Sequence, residues 1–273
     1  MNRHARAMGV LGAVSMVFAC KTPSGQGSEQ GRASPGISSS SPTSLSPAPE
    51  PPRLLPLKGP RSRELSALGR VATLYLPVGS TQPRPLALLF ADASHRNREL
   101  CQWWSRDLAQ RGFLLCVPQA STRGETAEEL QQSDYHALRA FLKRVKQIHG
   151  AHLSGGSVLL IAEADLRFAA QLTRQEPAFF SYLLLWGATA DDGWSSSAAT
   201  LFGSRGGKAM AIVCADEPCA QAMRYPKSWV ERAGARARVF RKEKDQQGVA
   251  LDALGWLIGD EPRWKRLPKG RAP

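Results

Sequence analysis

A doubly wound α/β fold with a mostly parallel sheet is what this 273-residue sequence predicts. Three observations predict it. Short apolar runs such as LALLFA (86–91), SVLLIA (157–162) and YLLLWG (182–187) are continuous rather than alternating, the pattern of strands buried on both faces. Longer stretches of helical periodicity stand between these runs, and strand–helix alternation of this kind closes into a parallel sheet through right-handed crossovers. Residues 65–260, about 200 in all, suffice for one domain with a sizeable core.

Taken in order, the expected strands are Val71–Leu76, Leu86–Ala91, Phe113–Val117, Ser157–Ala162, Tyr182–Gly187 and Met210–Cys214, with a weaker one at Arg238–Phe240. A helix over Arg98–Arg111 ends at Gly112, a C-terminal stop signal. The next, Thr126–His149, carries Leu130, Leu138, Phe141, Leu142, Val145 and Ile148 at helical spacing and stops at Gly150. Asp165–Gln175 is closed by Pro177, Cys219–Ala233 by Gly234, and Val249–Ile258 by Gly259.

The chain ahead of this domain is of another kind. Residues 1–19 place Arg3 and Arg6 before an uncharged, mostly apolar stretch too short to span a bilayer, the pattern of a secretory signal. Val17-Phe18-Ala19-Cys20 resembles a bacterial lipoprotein lipobox, which implies acylation of Cys20 as the mature N-terminus. Each buried methylene of such an anchor contributes about 0.8 kcal/mol. Cleavage after Ala19 to give a secreted or periplasmic soluble protein is the alternative. Residues 20–64 are rich in Ser, Pro and Gly, with few apolar residues to offset chain entropy, and are expected to form a disordered tether.

Net charge is +13, of which Arg3 and Arg6 contribute two. The basic tail, residues 261–273, holds Arg263, Lys265, Arg266, Lys269 and Arg271, and reads as a solvated end. No nucleic-acid module and no cofactor or metal motif is recognisable, so neither nucleic acid nor cofactor nor metal is expected. Beyond Cys20 the cysteines are Cys101, Cys116, Cys214 and Cys219. Four cysteines allow three pairings, and an exported chain favours disulfides over thiols. Cys214 ends a strand and Cys219 opens the following helix; Cys101 lies near a helix start and Cys116 near the end of a neighbouring strand. Those positions favour the pairs Cys214–Cys219 and Cys101–Cys116, with four reduced cysteines as the alternative.

Residues 72–258 resemble the α/β-hydrolase superfamily, near its dienelactone-hydrolase and esterase branch, which implies a three-layer sandwich. LALLFADASHRNRELCQWWSRDLAQRGFLLCVPQ is similar to the family's third strand, oxyanion loop, first helix and fourth strand. SVLLIAEADLRFAAQL is similar to the strand, nucleophile elbow and helix that follow, AIVCADEPCAQA to the strand and loop of the catalytic acid, and GVALDALGWL to the C-terminal helix after the base.

The catalytic positions depart from that pattern. The G-x-S-x-G elbow aligns with Ala162-Glu163-Ala164-Asp165-Leu166, which puts Ala164 where the serine stands. The base aligns near Asp245-Gln246-Gln247-Gly248, and the five histidines are His4, His95, His136, His149 and His152, so none follows residue 152. The oxyanion turn aligns with Ala91-Asp92. Only the acid is retained, as Asp216 or Glu217.

Glu163, Asp165, Asp216 and Glu217, with Asp92, are expected to gather at the C-terminal edge of the sheet, where such folds place their crevice. Asp165 reads as favouring a helix N-terminus and the others as solvated, ahead of acid–base or cation chemistry. His95 reads as an exposed loop residue, and His136, His149 and His152 as structural or solvated. Ser157 precedes a strand instead of following one, and Ser195-Ser196-Ser197 reads as a polar loop without a base. Trp103, Trp104, Trp186 and Trp194 read as core residues before pocket walls.

The expectation is an exported, lipid-anchored, non-catalytic α/β-hydrolase-fold protein, a binding or scaffolding pseudoenzyme of the cell envelope. It would meet the membrane through its anchor and a small molecule or envelope component through its domain. An active serine-type esterase or acyl hydrolase with a rearranged site is the alternative, and an envelope-polymer or carbohydrate binder a third class.

Overall fold

The computed structural model describes residues 54–91, 96–119, 127–163, 166–188, 194–241 and 246–267. The chain opens with an antiparallel hairpin, β1 (Ser62–Ala67) and β2 (Arg70–Tyr75). Its two-residue turn holds Leu68 at φ 51° and Gly69 at φ 72°, the positive values that a type I′ turn needs at both positions. There follow β3 (Arg84–Ala91), α1 (Arg96–Leu108), β4 (Phe113–Pro118) and α2 (Ala127–His149). A 3₁₀ turn at Gly150–His152 leads into β5 (Leu153–Glu163), then α3 (Leu166–Gln175) and β6 (Tyr182–Ala188). The remainder is α4 (Ser196–Ser204), β7 (Ala209–Cys214), α5 (Glu217–Ala222), α6 (Arg224–Arg232), β8 (Arg236–Arg241) and α7 (Gln246–Ile258).

The strands form one sheet in the order β1-β2-β4-β3-β5-β6-β7-β8. Pairing is antiparallel at the β1–β2 and β2–β4 junctions and parallel from β4 through β8. Helices α1 and α7 cover one face, over Leu89, Leu114, Ile161, Leu184 and Val213. Helices α2, α3, α4 and α6 cover the other, over Leu88, Leu115, Leu160, Leu183 and Ile212. The doubly wound, three-layer, mostly parallel reading of the sequence therefore holds. The central strands are apolar throughout because both of their faces are covered, with β7 buried at all six positions.

Where the elements differ from expectation, the causes are local. β1 reads SRELSA and buries only Leu65, so no apolar run announces it. The segment expected to be one helix from Cys219 is two, α5 and α6. Pro226 has no N–H to bond the carbonyl of Ala222, so a continuous helix cannot pass through it. Ser195-Ser196-Ser197 is not a loop but the start of α4. Ser195 is its N-cap, accepting a bond from the Ala198 amide at 3.3 Å, while Ala198, Ala199 and Phe202 are buried.

Residues 261–267 of the basic tail are built into the domain at the N-terminal edge of the sheet. Trp264 is fully buried and its indole N–H donates to Ser157 Oγ at 3.0 Å. Glu261 accepts from Tyr182 Oη at 2.7 Å and from Lys208 Nζ at 2.8 Å. Burial raises the Glu261 pKa, but the bonds from Lys208 and Tyr182 and the charges of Lys208 and Arg263 outweigh it, so the carboxyl sits below its ordinary value. Burial and the bond to Glu261 push the Tyr182 phenol well above its ordinary value. Arg263 donates to the Gly155 carbonyl at 2.7 Å, Arg266 pairs with Asp107, and the Leu267 amide donates to the Gln110 carbonyl at 2.8 Å. These contacts correct the reading of this stretch as solvated; Trp264 is core and has no free face for a polymer or a membrane.

Candidate functional site

The C-terminal edge of the sheet is where this topology leaves a crevice, and most of the loops that end its strands lie outside the described residues. β5 ends at Glu163 and α3 begins at Leu166; Ala164 and Asp165, between them in sequence, lie outside the described residues. Asp92, His95 and Asp245 also lie outside them. Ala91 is the last residue of β3, and Gln246 the first of α7 with Gln247 and Gly248 behind it.

The loop after β7 is described in full. Cys214 ends the strand and forms a disulfide with Cys219 across the turn, their Cα atoms 5.5 Å apart. Asp216 is the N-cap of α5, its Oδ1 accepting from the Cys219 amide at 2.8 Å. Glu217 pairs with Arg241 at the end of β8 at 2.8 Å, both side chains roughly half exposed. Of the two acids retained from the resemblance, one therefore caps a helix and the other makes a surface ion pair, an arrangement worth at most about 1 kcal/mol.

The described histidines lie elsewhere. His136, on α2, contacts Gln132 Nε2 at 3.0 Å. His152 reaches the Leu55 carbonyl at 3.0 Å from the 3₁₀ turn. His149, the last residue of α2, is buried beside Phe113, with ring centroids 5.6 Å apart and no hydrogen bond to Nε2 among the described residues. Burial, and then the charges of Arg63 and His152, hold its pKa below the ordinary imidazole value. Its unfolded form takes a proton near pH 6.5, while the folded form resists one. Stability is thus expected to be intact above pH 6.5 and to fall as pH drops below it, by up to about 1.4 kcal/mol per unit. Urea unfolding at pH 7.5 and 5.5 measures this; a fall undiminished in His149→Gln assigns the effect to another group.

Trp104, Trp186 and Trp194 are buried and Trp103 is partly so. Trp103, Trp104 and Trp186 form one cluster with centroids 4.5–5.6 Å apart. Trp103 also lines a cavity of about 330 Å³ with Arg106, Asp107, Arg111 and Arg266. Cys101 and Cys116 form the second disulfide, Cα to Cα 6.1 Å. Both expected cysteine pairs are present, and two such bonds fit an oxidising compartment. Among the described residues no group of three or more metal-ligating side chains stands together, and no helix is long and apolar enough to cross a membrane.

One cavity fell outside the sequence reading. It measures about 900 Å³ and lies at the opposite, N-terminal edge of the sheet, between α2 and the end of α3. The available signal was a stripe on α2, where Arg139, Lys143 and Lys146 run beside Leu138 and Leu142.

No protein-family model and no curated protein matches the chain. Solved structures do. DphMB1 is 15% identical, with 75% of this chain aligned to 85% of that one at a TM-score of 0.51. A carboxylesterase from Mesorhizobium loti is 16% identical, over 73% of this chain and all of that one, with a TM-score of 0.48. Est1E from Butyrivibrio proteoclasticus is 8% identical, over 72% of this chain and 97% of that one, with a TM-score of 0.49. Likeness at such identities is a likeness of fold. The chain has the α/β-hydrolase fold, as its strand order, its two helical layers and the resemblance of residues 72–258 agree.

Proposed function

We propose that this protein is an exported, lipid-anchored member of the α/β-hydrolase fold that performs no serine hydrolysis and acts as a binding or scaffolding module at the cell envelope. The observation that carries the reading is the alanine at residue 164, between β5 and α3 in sequence, where the resemblance aligns the nucleophile. Three others support it. No histidine follows residue 152. Asp216 is engaged as a helix cap and Glu217 with Arg241. A disulfide staples the loop that would carry the acid, which suits a rigid edge. Triad members act as a unit, so the loss of nucleophile and base removes nearly all of their joint contribution.

Two measurements test the two halves of this reading. The purified protein is expected to turn over p-nitrophenyl esters no faster than buffer and to take up no fluorophosphonate. Stoichiometric labelling of a serine would establish the rearranged hydrolase instead. Mass spectrometry of the membrane fraction is expected to find Cys20 acylated at the mature N-terminus; a soluble form beginning at an unacylated residue 20 would remove the anchor.

A further inference from the structure

We propose that the groove between α2 and α3 binds one long-chain fatty acid, its acyl chain along the apolar floor and its carboxylate against Lys143 and Lys146. The inference goes beyond the function proposed above and does not rest on it, because the groove lies at the other edge of the sheet.

The groove exists because the two helices part. α3 packs against α4, while α2 lies over β1 and the 3₁₀ turn. Between them the first half of β5 and the start of β3 are left open. The floor is Leu86, Leu138, Leu142, Val158, Leu172 and Phe179. Its volume of about 900 Å³ lies in the range of small-molecule sites, roughly 300–1,000 Å³. The six floor side chains carry no hydrogen-bonding group. They suit an acyl chain, which has no polar group along its length to satisfy.

The polar groups are sorted to the rim. At one end Tyr135 Oη donates to Glu176 at 2.7 Å, and Arg139 donates to Tyr135 Oη at 3.2 Å and pairs with Glu176 at 3.4 Å. That carboxylate is balanced. Further along the same helix face Lys143 and Lys146 are exposed on the lip, with no hydrogen bond or ion pair among the described residues. The helix dipole accounts for a cation in the last turn of α2, but not for the uncovered apolar floor beside it. Ser154, on the groove wall, keeps a buried hydroxyl without a partner among the described residues. An apolar trough with two unpaired cations on one lip complements a single chain that bears one anionic end.

The test uses the full chain, delipidated, with palmitate and hexadecanol as probes in calorimetric titration. Palmitate is expected to bind once. Hexadecanol, and palmitate with the charge-reversed double variant Lys143→Glu/Lys146→Glu, are expected to bind about tenfold more weakly or worse, the scale of one charge-assisted contact. The double variant should leave hexadecanol binding unchanged. Ala178→Trp, which places an indole over the groove from its exposed wall, is expected to abolish both, and an unchanged thermal midpoint in each variant certifies the fold. A diazirine palmitate should label peptides of α2 and of residues 176–180. No binding of palmitate, binding indifferent to both variants, or labelling only elsewhere overturns the proposal. So does a benzophenone placed at residue 178 that captures a second copy or residues 20–53 in place of lipid. Fluorophosphonate labelling bears on none of these outcomes, so this proposal and the one before it fail separately.

Discussion

Trp264→Ala is expected to destabilise the domain by about 3–5 kcal/mol, the cost of truncating a fully buried large aromatic side chain. The indole has no exposed surface and belongs to the core cluster on the α1 and α7 face, with Trp104, Leu108, Leu257 and Ile258. Its N–H bonds Ser157 inside β5, and Ser157 is itself fully buried. Truncation therefore opens a cavity and leaves a buried hydroxyl unpaired, a loss of about 1–3 kcal/mol on its own account. Trp264→Phe separates the two parts, since it keeps most of the volume and removes the donor; its loss should be nearer about 1–2 kcal/mol. Urea unfolding at neutral pH gives both numbers. A loss below about 1 kcal/mol for Trp264→Ala, far under the usual range, would show that the tail merely rests on the domain.

The same residue marks how much of the molecule the sequence discloses. Trp264 is followed by a run of cations and preceded by Pro262 and Arg263, with no periodic apolar partner nearby. Its partner is Ser157, 107 positions earlier, and nothing local encodes such a contact. Ser157 shows the same limit from the other side: at the head of an apolar run it offers no elbow, and its role is to receive the indole. By contrast the central strands are legible because burial on both faces demands unbroken apolar runs, and β6 and β7 begin within one residue of where those runs do. β5 begins at Leu153, four residues ahead of its apolar run. Ser154, Gly155 and Gly156 hide that start, since no bulky apolar residue marks them.

At the C-terminal edge the strand and the helix on either side of Ala164 are legible, since the apolar run to Ala162 and the helical stretch closed by Pro177 both stand in the sequence. The engagement of Asp216 escapes a helix start placed at Cys219; the aspartate just before Glu217-Pro218 is the helix-start signal that locates it. The groove at the other edge is not legible. It is defined by the divergence of α2 and α3, which follows from what each helix packs against, and no window of sequence contains that divergence.

The second large effect is expected from the disulfides. Cys101–Cys116 closes a separation of 15 residues, and the chain-entropy relation gives it about 3 kcal/mol. Cys214–Cys219 closes a separation of 5, for about 2 kcal/mol by the same relation. The first bond joins α1 to β4 on the face covered by α1 and α7; the second belongs to the core on the opposite face. They share no packing partners, so their effects should add, to about 5 kcal/mol. That sum is comparable to the whole net stability of many domains, about 5–15 kcal/mol. Urea unfolding of Cys101→Ala/Cys116→Ala, of Cys214→Ala/Cys219→Ala and of the quadruple variant reads the three values. The first pair should lower the midpoint more than the second, and the quadruple variant should be marginal or unfolded at 37 °C. Non-reducing peptide mapping of protein recovered from an oxidising compartment is expected to return both bonded pairs. Free thiols at both Cys214 and Cys219 would unstaple the loop after β7 and remove one support of the proposed non-catalytic reading. A quadruple variant as stable as the parent would mean that the fold has no need of an oxidising compartment, and the case for export would then rest on residues 1–20 alone.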